Sequence, residues 1–249
     1  MLNAFLWGLL ASSSLILGGI IAIRLKISNK ILGLIMGFGA GTLISAVAYE
    51  LIYEAIKLGK LSGYPAYGLF AGTLTYFFSE LLIEKLGASN RKKINASHGS
   101  NLVIPMVLAI ILDGIPESFV IGMGVFEGGT VSLAMLVAVF ISNLPESLAG
   151  SLGMKSGGWN RWKITSLWVI IGLVCALTSL AGYAMFEHTS DNWLSFIHAF
   201  AGGAILVMVS NSMTPEAHEH GGKLAGIFTV LGFAIAVSIV MLENSGKLQ

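Results

Sequence analysis

Leu112-Asp113-Gly114-Ile115-Pro116-Glu117-Ser118 lies in the middle of an apolar run about two dozen residues long. Ser142-Asn143-Leu144-Pro145-Glu146-Ser147 repeats the pattern in the next such run. Runs of this length cross a bilayer as helices. An ionised carboxylate near the bilayer centre costs roughly 2.5–3.5 kcal/mol on insertion scales, and these two runs carry Asp113, Glu117 and Glu146. That cost has to be offset, and a bound cation is the leading candidate. One stretch therefore predicts both membrane-spanning helices and a polar site held between them.

The composition agrees. Of 249 residues 55% are hydrophobic and only 11% charged, with a mean hydropathy of +0.82, whereas charged residues make up about a quarter of a soluble domain. The chain reads as one polytopic membrane domain with little mass outside the bilayer. A net charge of +1 and the lack of a long basic cluster argue against nucleic acid as a partner. Cys175 is the single cysteine, so neither a disulfide framework nor a cysteine-based zinc motif is available. The 31 glycines suit close helix packing in lipid. No Lys or Arg precedes the first apolar run, which argues against a cleaved signal peptide.

Spanning runs occur eight times, near 3–23, 31–56, 65–86, 102–125, 131–154, 164–186, 193–216 and 224–242. Connections are short; the longest polar gap, Ala88 to Ser100, holds Arg91-Lys92-Lys93 and His98 and reads as a mobile loop. Eleven of the 14 Lys and Arg residues fall in alternate connections (24–30, 85–100, 155–163 and 217–223), leaving Lys57, Lys60 and Lys247 on the other side. Basic residues favour the cytoplasmic side, so both termini are expected to be extracytoplasmic in a cell (plasma or inner) membrane.

The first and last thirds are also alike. Gly37-Phe38-Gly39-Ala40-Gly41 opens a segment ending in Glu54-Ala55, and Ala199-Phe200-Ala201-Gly202-Gly203 opens one ending, at the same spacing, in Glu216-Ala217. The second and seventh spans would run in opposite directions, so the likeness reads as an inverted repeat, as in transporters with a midplane site.

In the fourth and fifth spans the acids fall about a dozen residues from the start, near mid-membrane at 1.5 Å per residue. Asp113 and Glu117 are i,i+4 and Asn143 and Glu146 are i,i+3, so each pair shares a helical face. If the faces meet, three carboxylates, one amide and the hydroxyls of Ser118, Ser142 and Ser147 converge. Pro116 cannot donate to the carbonyl of Leu112, nor Pro145 to that of Ile141, and such freed oxygens suit a cation in a polar cavity. Three of the five prolines are followed directly by Glu, where chance gives well under one. No Lys or Arg lies inside the fourth to eighth spans, so an ion-pair lock is excluded there. Protonated carboxylates bonded to serines, on a proton path, would use the same residues.

Glu50 and Glu54, on one face near the outer end of the second span, read equally as cation attractors at a mouth and as interfacial charges. Glu80 and Glu84 read as solvated ends of the third span. Pro215-Glu216 is expected to close the seventh span, and Glu216-Ala217-His218-Glu219-His220 offers carboxylate and imidazole ligands where an ion would leave. His198, His188 and Cys175 read as packing or interface residues.

These residues resemble the ZIP (Zrt-, Irt-like protein) family of metal-ion transporters, most specifically in Asp113-Gly114-Ile115-Pro116-Glu117, Asn143-Leu144-Pro145-Glu146 and Pro215-Glu216-Ala217-His218-Glu219. The resemblance implies an all-α fold of eight transmembrane helices in a 3+2+3 inverted-repeat arrangement. It also implies a homodimer with an elevator-type motion, and transport of divalent zinc, iron or manganese toward the cytoplasm, the metal being cargo rather than cofactor. The family usually opens the two motifs with His-Asn and His-Asp or His-Glu, where this chain has Asp113-Gly114 and Ser142-Asn143. The site loses both imidazoles and becomes oxygen-rich, and oxygen ligands suit manganese-like ions better than zinc. The site so predicted comprises Asp113, Glu117, Ser118, Ser142, Asn143 and Glu146, with Glu50 and Glu54 outside it and Glu216 and His218 within. Two other functions use the same fold: a metal sensor that transports nothing, and a carrier of protons or another solute. A membrane-embedded metallohydrolase would want several His on inner helix faces, and the fourth and fifth spans have none, so the chain is not expected to be an enzyme.

Overall fold

Eight long helices make up the computed structural model, which describes residues 1–85, 103–128, 131–185 and 189–246. They are α1 (Leu2–Arg24), α2 (Asn29–Gly59), α3 (Tyr64–Ile83), α4 (Val103–Gly128), α5 (Leu133–Ser156), α6 (Arg161–Ala184), α7 (Asp191–Gly221) and α8 (Lys223–Gly246). All eight are long and apolar enough to cross a membrane, and no strand occurs among the described residues. The chain is an all-α polytopic membrane protein. The Ala88–Ser100 loop and His188 lie outside the described residues.

Local chemistry sets the helix limits. Ser28, Ser132 and Asn160 cap α2, α5 and α6 by accepting from Ile31, Met135 and Lys163 backbone N–H groups, which satisfies donors that the first turn leaves open. Pro116 and Pro145 sit inside continuous helices. Pro215 does not close α7. A π-helical turn at Val209–Met213 precedes it, and the helix then resumes over Thr214–Gly221. The wider turn rearranges the backbone bonds where proline supplies no N–H, so the helix outlasts the proline.

A second π-helical turn lies in α2, at Val47–Ile52, and the match between α2 and α7 goes further. One offset along the chain separates Ser28 from Ser190, Val47 from Val209 and Gly59 from Gly221. Both helices are 31 residues long. Each ends on a positive-φ residue, Lys60 at 49° and Gly222 at 60°. The two run antiparallel: Ser195 Oγ donates to the Ala55 carbonyl at 2.7 Å at one end, and Gly33 lies against Gly221 at the other.

Packing repeats in the same way. α3 lies along α7 as α8 lies along α2, and α1 packs on α5 as α6 packs on α4. Close approach uses matched glycines: Gly72 meets the Phe200 carbonyl and Gly232 the Phe38 carbonyl, so a Cβ at either would collide with backbone. Two bundles result, α1–α4–α5–α6 and α2–α3–α7–α8, joined mainly where α2 packs on α5. The most apolar window of α5 is 72% buried and that of α8 only 22%. The acid-bearing α5 is thus central, while α3 and α8 present apolar side chains such as Phe70, Phe78, Val230 and Leu242 outward.

Candidate metal-binding site

α4 and α5 do meet, at Glu117 and Ser142, although Asp113, Glu117 and Glu146 are not among the described residues whose ligand atoms gather within 4.8 Å of one another. Ser142 Oγ donates to Glu117 Oε1 at 3.1 Å, and Asp113, Glu117, Ser142, Asn143 and Glu146 are all nearly solvent-free, at 0–6% exposure. Such burial of carboxylates is costly unless donors or a cation compensate, and the one basic residue on these helices, Lys155, sits in the last turn of α5 and donates to the Ile23 carbonyl. The Tyr76 hydroxyl of α3 donates to Asp113 Oδ1. Where Pro145 frees the Ile141 carbonyl, Gly39 of α2 comes close: a Cβ there would stand 3.5 Å from that oxygen.

The serines divide. Ser142 faces the acids, whereas Ser147 Oγ turns to the Leu144 and Ser14 carbonyls, at 3.0 and 3.5 Å, toward α1. Ser118 hydrogen-bonds the Cys175 thiol of α6. That thiol packs against Gly114, with Glu117 and Glu146 both in electrostatic range. Cys175 is the packing residue expected, in a cluster with Trp168 and Ile171, yet its sulfur borders the acids. A soft atom beside an oxygen-rich site was not expected from the sequence. His198 is buried and bonds the Leu194 carbonyl at 3.0 Å, in line with a packing role.

Glu50 and Glu54 are not brought to this cluster. With Tyr49, Tyr53, Lys57, Ser132, Val240 and Glu243 they line a separate cavity of about 280 Å³ at the C-terminal end of α2. Glu54 pairs with Lys57 at 3.0 Å, so half of the expected acid pair is offset by a lysine. Glu243 accepts from Ser132 Oγ at 3.1 Å and from the Leu133 and Ala134 N–H groups at 2.6 and 3.4 Å, capping α5. This carboxylate at a helix N-terminus favours the local dipole and ties α8 to the helix that carries Glu146.

Two expectations at the other end of α7 need correcting. His218 is exposed, and the residues that gather are Glu216, Glu219 and His220, whose ligand atoms lie within 4.8 Å of one another. Helical spacing gives the reason: residues three and four apart share a face and residues two apart do not. Glu80 is not a solvated end. It is 6% exposed and accepts from Asn211 Nδ2 at 2.9 Å and Ser212 Oγ at 3.4 Å. Both donors sit on the π-helical turn of α7. One turn of α3 separates Glu80 from Tyr76, and one turn of α7 separates Ser212 from Glu216. Polar groups therefore continue from Asp113 through Tyr76, Glu80 and Ser212 to Glu216.

Fold and geometry together define an eight-helix polytopic membrane protein with buried acids on its fourth and fifth helices. No protein-family model matches the chain, and no curated protein matches it.

Proposed function

We propose that this protein carries divalent transition-metal cations through the membrane toward the cytoplasm by alternating access. Support rests on one observation above all: Glu117 and Ser142 join α4 to α5 in a buried contact, with Asp113 and Glu146 also buried on the same two helices. Three carboxylates, the Asn143 amide and a hydroxyl form a donor set suited to a dication, with a thiol at its border. Ion-binding acids at this depth are the norm for transport sites, because an intramembrane charge without work to do is selected against by its cost. The repeated α2 and α7, running in opposite directions, fit a carrier whose two bundles offer equivalent paths to either side.

On this reading the ion sits among Asp113, Glu117, Asn143 and Glu146, and leaves past Glu80 and Ser212 toward Glu216, Glu219 and His220. Of the candidate metals, manganese suits the oxygen donors better than zinc does. The ZIP-like motifs favour the same function, and with it a homodimer in a plasma or inner membrane with both termini outside.

Metal uptake into proteoliposomes tests the proposal. Wild type should accumulate manganese or iron down an imposed gradient, and Glu117→Gln should not. Metal binding without flux would make the protein a sensor; proton flux without metal flux would make it a proton carrier. Either outcome refutes metal transport.

A further inference from the structure

Asp113 is held by a residue from the other bundle. It lies on α4, whereas Tyr76, whose hydroxyl donates to Asp113 Oδ1, lies on α3. The two helices otherwise touch little. Tyr76 is only 2% exposed and belongs to a buried cluster that spans the two bundles, with Ala201, Ala204 and Ile205 of α7 and Val120 and Ile121 of α4, so its ring is held at their junction. A buried phenol is anchored by its apolar body and directs one polar tip. Here that tip points at a carboxylate of the proposed site.

A carboxylate that binds metal is oriented by the hydrogen bonds it accepts, and loss of such an outer partner typically costs about 10–100-fold in metal affinity. Such support usually comes from the scaffold that carries the ligand. In this protein it comes across the boundary between bundles, so it lasts only while α3 and α4 keep the packing seen here. We infer that Tyr76 is a positioning residue that sets ion affinity through Asp113 and makes it depend on the packing of the two bundles. With the hydroxyl on Oδ1, Oδ2 is oriented toward the ion and the site is tight. Once the bundles shift, the hydroxyl is withdrawn, the carboxylate loses that donor, and the ion is held less firmly. One contact thus gives a carrier what it needs, high affinity in one arrangement and release in another. This inference rests on the proposed ion site and adds its regulation.

Tyr76→Phe keeps the ring and removes only the hydroxyl, so it is the decisive variant. The full-length protein in nanodiscs, titrated with Mn2+ by calorimetry, should bind about 10–100-fold more weakly as Tyr76→Phe. In an Asp113→Asn background the same change should have little effect, because the hydroxyl acts through that carboxylate. In proteoliposomes Tyr76→Phe should raise KM while kcat is kept or increased, since release no longer requires breaking the contact. A purely structural role would instead lower thermal stability and leave the two changes additive. Unchanged or tighter Mn2+ binding by Tyr76→Phe, with Asp113→Asn and Glu117→Gln both weakened, overturns the role of Tyr76 and leaves the ion site standing. Full affinity in all three variants overturns the ion site, and this inference with it.

Discussion

Glu117→Gln is the perturbation with the most calculable consequence. The substitution keeps shape and removes one negative charge at a side chain that is 1% exposed. Ser142 Oγ, at 3.1 Å from Oε1, can still donate to the remaining carbonyl oxygen, so the α4–α5 contact survives. Burial leaves no water to replace the lost charge. Removing one member of a buried, hydrogen-bonded charge interaction costs about 2–5 kcal/mol, which corresponds to roughly thirty-fold to several thousand-fold in Kd. The same charge change at Asp191, exposed in the first turn of α7, concerns only the helix dipole and is worth about 0.3–1 kcal/mol to the helix. Calorimetric Mn2+ titration of wild type, Glu117→Gln and Asp191→Asn separates a specific ligand from general electrostatics. Equal affinity for wild type and Glu117→Gln, or equal losses in the two variants, would refute the reasoning.

Three further outcomes follow from other parts of the structure. Replacing Asp113 and Ser142 together by His supplies two imidazoles, which favour zinc. Competitive uptake should then shift from manganese toward zinc by tenfold or more if the change reaches about 1.4 kcal/mol. Cysteines at Leu61, fully exposed after α2, and at Gly157, exposed after α5, should be labelled by an impermeant reagent from opposite sides of sealed cells, Leu61 from outside. The native Cys175 is buried and gives little background. Labelling of both from one face would overturn the topology. Gly72→Leu and Gly232→Leu should each lower the thermal midpoint, since overpacking costs about 1–3 kcal/mol or more. Gly226→Ala, which meets nothing within 4 Å, should leave it unchanged or slightly raised. A loss at only one of the two matched glycines would contradict the symmetric packing.

The sequence made the membrane-spanning helices legible because burial in lipid demands long apolar runs, and acids stand out against them. Asp113, Glu117, Asn143 and Glu146 could be grouped because helical spacing is known before any tertiary contact is. The inverted repeat was visible only in a short Gly-rich segment. Its extent, from Ser28 and Ser190 to Lys60 and Gly222, depends on capping and on π-helical turns that no residue pattern announces. Glu80 was misread because its environment is made by another helix: nothing near it in the chain indicates that Asn211 and Ser212 reach it. The polar run Ser210-Asn211-Ser212 inside the seventh span is the signal the sequence offers. Tyr76 and Cys175 were missed as neighbours of the acids for the same reason, since each approaches from a helix with no acid at that level. The helical period places His220, not His218, on the face of Glu216, a distinction of spacing rather than of chemistry.

The proposed function requires a dication among Asp113, Glu117, Asn143 and Glu146. Anomalous diffraction from crystals grown with Mn2+, measured on either side of the manganese edge, locates the ion directly. A peak is expected between α4 and α5 within coordinating distance of Glu117 and Glu146, lost in crystals of Glu117→Gln. A peak confined to Glu216, Glu219 and His220, or none in protein that transports manganese, would contradict it.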